Sequence, residues 1–429
     1  MLAYPKNIIF DYKTYKLYNQ FMNKINKDWK EVKLGDIGVF LRGFGISKKD
    51  LSDNGTPAIR YGDIYTKYDF IIKNISSFTN SKGTELKKGD ILFAGSGETI
   101  AEIGKSVAFI DDFKALAGGD IIIFRPSIEL DSAFLSYMLN TGKCRRDISV
   151  MGQGVIIAHI SSKSLQKLSV FLPSLDEQKR IASALSKIDA YLENTIKLIE
   201  EKERFKRGIA KKLLTCKEGE NIPEARFKGF EDEWMEVAIS KIGTIITGNT
   251  PSTKNESFWN GNNVWVTPTD IKQKYISNSE RKLTDDGLKK SRKLPANTLL
   301  ITCIASIGKN AILKCEGACN QQINAIIPNK NYNVDFLYYL FENEKSYLKF
   351  KAPQSVIKIM SKSEFSKLVF KFPLLEEQEK IGGYLSLLDK EIDNLKKQKE
   401  LIKEMKRGAM QKLLSGEVRL SKNAFNENI

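Results

Sequence analysis

The sequence predicts a mixed α/β (α+β) protein, with two α/β domains in tandem separated by two long helices packed as an antiparallel coiled coil. Three observations lead there. Residues 172–183 (LPSLDEQKRIAS) match residues 372–383 (FPLLEEQEKIGG), and the match runs on without a gap at an offset of 200 residues. Both matching segments continue with an apolar residue at every third or fourth position, the period of a helix with one apolar stripe. The remainder of each half is made of short apolar runs bounded by Gly, Asn, Pro and Asp, which reads as strands joined by polar loops.

In chain order, residues 1–28 form an N-terminal extension. Its first 21 residues mix Lys, Asp and Tyr and lack the continuous apolar stretch of a signal peptide. The first domain, 29–170, opens on Trp29, expected as a core anchor. Its apolar runs at 90–94 and 120–124 predict strands, and 132–141 predicts a short helix. The central helix occupies 171–217. Pro173 precedes it, and Ser174 with Glu177 makes an S-x-x-E capping box. Its stripe is Ile181, Leu185, Ile188, Leu192, Ile196 and Ile199, extended by Ile209 and Leu213.

Residues 218–233, with a Pro, two Gly and six acidic residues, are the linker. The second domain, 234–371, opens on Trp234, with strands predicted at 298–302 and 323–327 and a helix at 334–343. The C-terminal helix, 372–416, carries Ile381, Leu385, Leu388, Ile392, Leu395, Ile402, Met405, Ala409 and Leu413. Leu374 replaces Ser174 there, so that cap is lost. A tail, 417–429, follows. Each helix runs about 40 residues, or roughly 60 Å. A stripe that long must be covered, and the two helices cover each other most simply along a seam of Ile181, Leu185, Ile188 and Leu192 with Ile381, Leu385, Leu388 and Ile392.

The duplication is uneven. Lys206-Arg207-Gly208 recurs as Lys406-Arg407-Gly408, and Lys212-Leu213-Leu214 as Lys412-Leu413-Leu414, whereas the domains align loosely through Trp29/Trp234, Gly38/Gly243, Gly43/Gly248 and Gly104/Gly308. The constant segments do one job twice, and the divergent domains do two versions of another.

Composition narrows the class of function. Lys and Arg exceed Asp and Glu by 68 − 52 = 16, which suits a polyanionic partner, although the excess is spread along the chain. No run approaches the roughly 18 apolar residues of a membrane span. The five cysteines (Cys144, Cys216, Cys303, Cys315, Cys319) are odd in number and scattered, and with one histidine in the chain they predict reduced thiols in a cytoplasmic protein, with no metal site.

Catalytic motifs fail one by one. Residues 100–106 end in Gly-Lys-Ser, but the earlier glycine of a phosphate loop falls on Thr99, and Asn310 replaces Ser106 in the second half. Glu85-Leu-Lys87 with Asp69 is half a nuclease motif in poor strand context. His159 has Met360 or Ile359 as its counterpart, which leaves no duplicated triad. No Asn-Pro-Pro-Tyr-like tetrapeptide marks a methyltransferase. A chain of this size without a catalytic constellation is expected to bind rather than to turn over.

The Leu-Pro-x-Leu-x-Glu-Gln-x-x-Ile starts at 172–181 and 372–381, the Lys-Arg-Gly-x-x-x-Lys-Leu-Leu ends and the variable–constant–variable–constant order resemble the specificity subunits of type I restriction-modification systems. Glu224-Ala-Arg-Phe-Lys-Gly-Phe before Trp234, Thr247-Gly-Asn-Thr-Pro-Ser252, Trp265-Val-Thr-Pro-Thr-Asp-Ile271 and Ser-Ile-Gly-Lys at 306–309 also fit. The N-terminal lead departs from the Arg-Phe-x-Gly-Phe pattern kept at 226–230. The resemblance implies two target-recognition domains that read a split DNA site with an unspecified gap. It also implies two methyltransferase subunits that modify adenine N6 with S-adenosylmethionine, and two motor-nuclease subunits that use ATP and Mg. This chain would bind no cofactor or metal itself.

Loops of matching position supply the DNA-contact candidates, with Lys and Arg expected on phosphates and Asn, Gln, Arg, Ser and Thr on base edges. They are Arg42, Lys48, Arg60, Tyr61, Ser96, Lys105, Gln153 and His159 in the first domain. In the second they are Thr250, Ser252, Lys254, Thr269, Lys272, Ser306, Lys309, Gln321, Gln322, Gln354 and Lys358. Two other classes stay open on sequence alone: a coiled-coil adaptor without DNA recognition, and a nuclease with an unrecognised active site.

Overall fold

The structure, a computed structural model, describes residues 28–154, 158–352 and 359–420, so the N-terminal extension before Asp28 and the tail after Leu420 lie outside the described residues. The chain divides into two compact units. One comprises residues 1–194 with 399–429, the other residues 195–398. Each unit therefore holds one α/β domain and half of each long helix.

In the first unit a five-stranded sheet runs in the order Gly38–Arg42, Ile121–Pro126, Ile91–Ala94, Ser106–Phe109, Ile71–Ile72. All neighbours are antiparallel except the last pair. Strand Ile91–Ala94 reads as an unbroken apolar run because both of its faces are buried, and Ser106–Phe109 departs from that only at its buried first residue. A second sheet of five short strands, Leu51–Ser52 to Leu116–Ala117, forms a separate layer. Trp29 is buried with its ring edge-on to Phe134, 6.1 Å between centroids, on the helix Ser132–Leu139. Strand Lys30–Lys33 pairs with Ser169–Leu172, so the domain's first and last strands close it.

The second unit repeats that scaffold. Its five-stranded sheet follows the same order: Gly243–Thr247, Ile323–Pro328, Thr298–Thr302, Asn310–Leu313, Tyr275–Ile276. Trp234 packs on Phe336 at 6.0 Å as Trp29 does on Phe134, and Met235–Ala238 pairs with Val369–Phe372. The other layer differs, being three strands built on Trp259–Val266. The shared sheet is the constant scaffold, and the second layer is where the domains diverge.

Each closing strand leads through a proline into a helix of 40 residues, Leu175–Leu214 and Leu375–Leu414. Inside the first unit, Ile181 and Leu185 share a core with Met410 and Leu413, and Asp189 Oδ1 lies 2.5 Å from Lys406 Nζ. Inside the second unit, Ile381, Leu385 and Leu388 share a core with Leu213 and Leu214. There Lys206 pairs with Asp389, Lys202 with Glu391 (2.8 Å) and Lys396 with Glu203 (2.7 Å). In both units numbers rise along one helix as they fall along the other, so the helices pack antiparallel. Of the eight expected seam residues, Ile181, Leu185, Ile381, Leu385, Leu388 and Ile392 are buried and Ile188 and Leu192 half-buried. The expected pairing of the two sets needs correction: antiparallel packing sets Ile181 and Leu185 beside Met410 and Leu413, and Ile381 and Leu385 beside Leu213 and Leu214.

Two stripe positions need correction. Ile196 and Met405 are exposed, and Thr195 and Lys406 occupy the buried positions beside them. An α-helix turns 100° per residue, so one position off the stripe leaves the seam. Apolar identity pointed to the wrong neighbour in both places because a threonine and a paired lysine fill the seam there.

The expected capping box is also half wrong. Ser174 Oγ accepts from Glu177 N at 3.4 Å, but the Glu177 carboxylate turns to Arg419, which donates from Nε at 2.9 Å and from Nη2 at 2.6 Å. Glu377 makes the same bidentate contact with Arg226 (2.9 and 2.7 Å) and also accepts from Trp234 Nε1 at 3.3 Å. A buried carboxylate holding a guanidinium fork explains why this glutamate recurs where Ser174 does not. The adjacent glutamine recurs for a similar reason. Gln178 bridges Asp131 N and Pro173 O, and Gln378 bridges Asn333 N and Pro373 O. Arg419 thus takes, in the first unit, the place that Arg226 of the Arg-Phe-x-Gly-Phe segment holds in the second.

Glu344, between helices Val334–Asn343 and Lys345–Lys351, carries a testable charge. Burial raises its carboxyl pKa, opposed by the Asn343 amide that donates to it at 2.9 Å. A raised folded-state pKa contributes stability that is present below the unfolded value and lost as pH rises through the folded one. Glu344→Gln is therefore expected to raise the melting temperature of the second unit at neutral pH and to flatten its decline above the ordinary carboxylate range. Melting curves from about pH 4 to pH 8 check this; a variant less stable than the parent at pH 7 contradicts it.

Candidate nucleic-acid interface

In the first domain the structure gathers four of the sequence-derived candidates around one cavity of about 530 Å³, lined by Arg42, Ser96, Gln153 and His159. Arg42 ends the edge strand Gly38–Arg42 and is exposed. Ser96 is buried, with its Oγ 3.0 Å from His159 Nδ1. His159 is held by a backbone bridge to Gln153 (N–H to carbonyl, 2.9 and 2.7 Å) and by a short strand pairing to Ser96 and Gly97. Its counterpart is Ile359, which bridges Ile304 as His159 pairs Ser96. The polar wall of this cavity belongs to the first domain.

The other first-domain candidates stand apart. Lys48 is exposed on the turn Lys48–Asp50, which Ser47 and Asp50 cap reciprocally. Arg60 pairs with Asp63 at 3.1 Å at the start of helix Tyr61–Thr66, where Tyr61 is exposed. Lys105 turns inward. Its ammonium donates to Tyr68 O at 2.5 Å, and burial holds its pKa below the usual lysine value. That geometry spends its charge within the fold.

In the second domain Thr250 Oγ1 donates to Gln321 Oε1 at 2.5 Å, and Gln322 Oε1 accepts from Asn320 Nδ2 at 3.0 Å, which brings Thr250, Gln321 and Gln322 to one end of the scaffold sheet. Ser252 and Lys254 are exposed on the loop that follows, and the Ser252 carbonyl accepts from Trp259 Nε1 at 3.1 Å. Thr269 Oγ1 lies 2.8 Å from Thr267 Oγ1, and Lys272 is exposed just beyond. Ser306 and Lys309 occupy the turn between strands Thr298–Thr302 and Asn310–Leu313. Gln354 and Lys358 lie outside the described residues.

Two side chains escaped the sequence reading. Phe44 stands 65% exposed between Gly43 and Gly45 on the rim of the first-domain cavity. Arg281 lies with its guanidinium carbon 3.8 Å from the Trp259 ring centroid, over a Trp259–Trp265 pair 5.0 Å apart. A lone Phe in a glycine-rich loop carries no periodic signal. The two tryptophans meet because the strand between them is irregular, Trp259 and Asn263 both lying opposite Leu283, and no period-2 reading of the sequence reveals such a break. Burial pushes the Cys303 thiol up to about 11 and those of Cys144 and Cys319 up to about 12, so these three act as core groups. Among the described residues no group of three or more His, Cys, Asp or Glu could hold a metal, and no helix is long and apolar enough to cross a membrane.

The two domains share the strand order of one sheet and differ in the second, which defines a protein of two tandem domains of one class, and comparison with known proteins agrees. The family model for the type I restriction modification DNA specificity domain matches residues 26–201 and again 231–404. The chain belongs to that family, as a type I restriction-modification specificity subunit with target-recognition domains in tandem. It is 25% identical over 425 residues to the putative type I restriction enzyme MjaX specificity subunit of Methanocaldococcus jannaschii, covering 93% of this chain and 96% of that one. Against the MjaIX specificity subunit of the same organism it is 36% identical over 180 residues, 40% of this chain and 42% of the relative. Its fold resembles the crystal structure of the type I restriction-modification S subunit from M. genitalium, with a TM-score of 0.56 at 18% identity, covering 90% of this chain and 96% of that one.

Proposed function

We propose that this chain is the non-catalytic, sequence-reading subunit of a cytoplasmic type I restriction-modification complex. Each domain binds one half of a bipartite duplex target, and the helix pair sets the unspecified gap. Two methyltransferase subunits bound to it methylate adenine at N6 with S-adenosylmethionine. Two motor-nuclease subunits use ATP and Mg to translocate and cut DNA that lacks the mark. The observation that carries this reading is the contrast between the sheet repeated in both domains and the loop layers that differ, since one scaffold with two loop sets is what reading two different half-sites requires. One solved relative in fold comes from work on complex assembly and conformational transition of the type I system, which supports an assembled state.

The test is genome-wide mapping of N6-methyladenine in a host with and without this gene, the methyltransferase gene being left intact. The expected result is loss of one methylated motif made of two short blocks around a fixed gap. An identical methylome in both strains overturns the reading. So does a purified complex with methyltransferase that binds random and target duplexes equally, the behaviour of an adaptor.

A further inference from the structure

Phe44 is the most exposed aromatic side chain of the first domain among the described residues, and its loop is not free to fold it away. Gly43 N–H donates to Ile121 O at 2.8 Å, Phe44 N–H to Ala117 O at 3.3 Å, and Gly119 N–H to Gly45 O at 2.7 Å. Gly43 sits so close to the neighbouring chain that a Cβ there would lie 1.9 Å from Gly118 O, and Gly45 takes a φ of +60° that favours glycine. Ile46, with a φ of 47°, buries its side chain and anchors the far end. Backbone bonds and a strained turn thus hold an apolar ring out in solvent, where a mobile loop would have collapsed onto the surface.

The surroundings say what the ring meets. Arg42 flanks it on one side, and exposed Lys48 and Lys49 follow on the other, while Ser96, Gln153 and His159 line the cavity whose rim it shares. The matching residue of the second domain is Asn249, after Gly248. Its Nδ2 donates to Lys290 O at 3.0 Å and its Oδ1 accepts from Arg292 N at 2.8 Å. The scaffold is therefore satisfied by a polar, folded-back residue at this place and does not itself require the exposed ring. A duplex offers cations its phosphates, and beside the C–H edges of its sugars it offers an apolar ring the faces and methyl groups of its bases, the larger apolar surface once a step opens.

Resting on the DNA-reading function above, we infer that Phe44 is a wedge that inserts at a base step in or beside the first half-site and partly unstacks it. Arg42 and Lys48 hold the flanking phosphates. The second domain reads its half-site without such a wedge.

The test uses the full chain assembled with its methyltransferase partner and target duplexes carrying 2-aminopurine at successive positions across both half-sites. Apart from the adenines that the methyltransferase extrudes, which brighten on both sides with or without the wedge, wild-type complex should brighten the probe at one further step on the first side. Phe44→Ala should abolish that signal and weaken binding roughly tenfold to a hundredfold, the range seen when one base–aromatic contact is lost, and Phe44→Trp should keep both. If the wild-type complex discriminates its target yet no step beyond the extruded adenines brightens, or if Phe44→Ala binds as tightly as wild type, the wedge is overturned and the DNA-reading function stands. Loss of methyltransferase assembly in Phe44→Ala would make the ring a protein contact and likewise overturn it. A wild-type complex blind to target sequence would remove both readings.

Discussion

Replacing the first recognition domain with that of a relative is expected to rewrite one half of the methylated target and leave the other half unchanged. The junctions follow from the fold. Strand Lys30–Lys33 pairs with Ser169–Leu172, so both must travel together, and the exchange runs from Trp29 to Leu172. Pro173 and the Gln178 bridge to Asp131 N lie at the seam, which makes an incoming backbone of the same length before its short helix a condition of success. The end of the C-terminal helix, with Met410 and Leu413 in the first unit's core, stays as it is, and the incoming domain must present an apolar face to it. The effect is all or nothing because a site built to hydrogen-bond particular base edges leaves its polar groups unpaired on others, at about 1–3 kcal/mol for each mismatched base pair. Methylation mapping of the exchanged chain with its methyltransferase reads both halves at once, and the unchanged second half serves as the control for folding. A shift in both half-sites would mean that the domains do not read independently.

The sequence disclosed what repeats and what is periodic. The 200-residue offset located both helices, and runs such as Leu299 to Ile301 between two buried threonines located central strands, because burial on both faces favours consecutive apolar residues. What it hid depends on partners distant in sequence. The Glu177–Arg419 fork joins residues 242 apart, so Glu177 read as a helix cap, the nearest local use of a glutamate three residues after a serine. Met405 was taken for the stripe in place of Lys406 because nothing local says that Asp189 waits opposite that lysine. Among the interface candidates, position in matching loops brought Arg42, Gln153 and His159 to one cavity, yet it included Lys105, whose charge the carbonyl of Tyr68 absorbs. Phe44 was missed because exposure of an apolar ring is a property of the folded loop, and no composition or spacing announces it.

Asp189→Ala is expected to destabilise the first unit by roughly 3 kcal/mol, toward the low end for breaking one side of a buried ion pair. Asp189 Oδ1 faces Lys406 Nζ at 2.5 Å in an ionic contact without hydrogen-bond geometry, and Asp189 Oδ2 accepts from the Tyr137 hydroxyl at 2.5 Å. Only 11% of the lysine side chain and 15% of the aspartate side chain reach solvent. Removing the carboxylate leaves an ammonium inside an otherwise apolar seam and deprives a phenol of its acceptor, and burial already sets that phenol's pKa well above the ordinary tyrosine range. The loss stays moderate because Asp69 remains 4.0 Å from Lys406 Nζ and the Phe70 ring lies 4.5 Å below it. The double variant Asp189→Ala/Lys406→Met should regain most of the stability, since an apolar pair of similar volume needs no desolvation of charge. The matching Lys206–Asp389 pair of the second unit is more exposed, 24% and 29%, and Asp389→Ala should cost less. Hydrogen exchange of the full chain separates the units: amides of helix Ser132–Leu139 and of residues 175–194 should lose protection in Asp189→Ala while those of Val334–Asn343 keep theirs. A double variant no more stable than the single one would show that the seam needs the charge pair itself and not merely its neutrality.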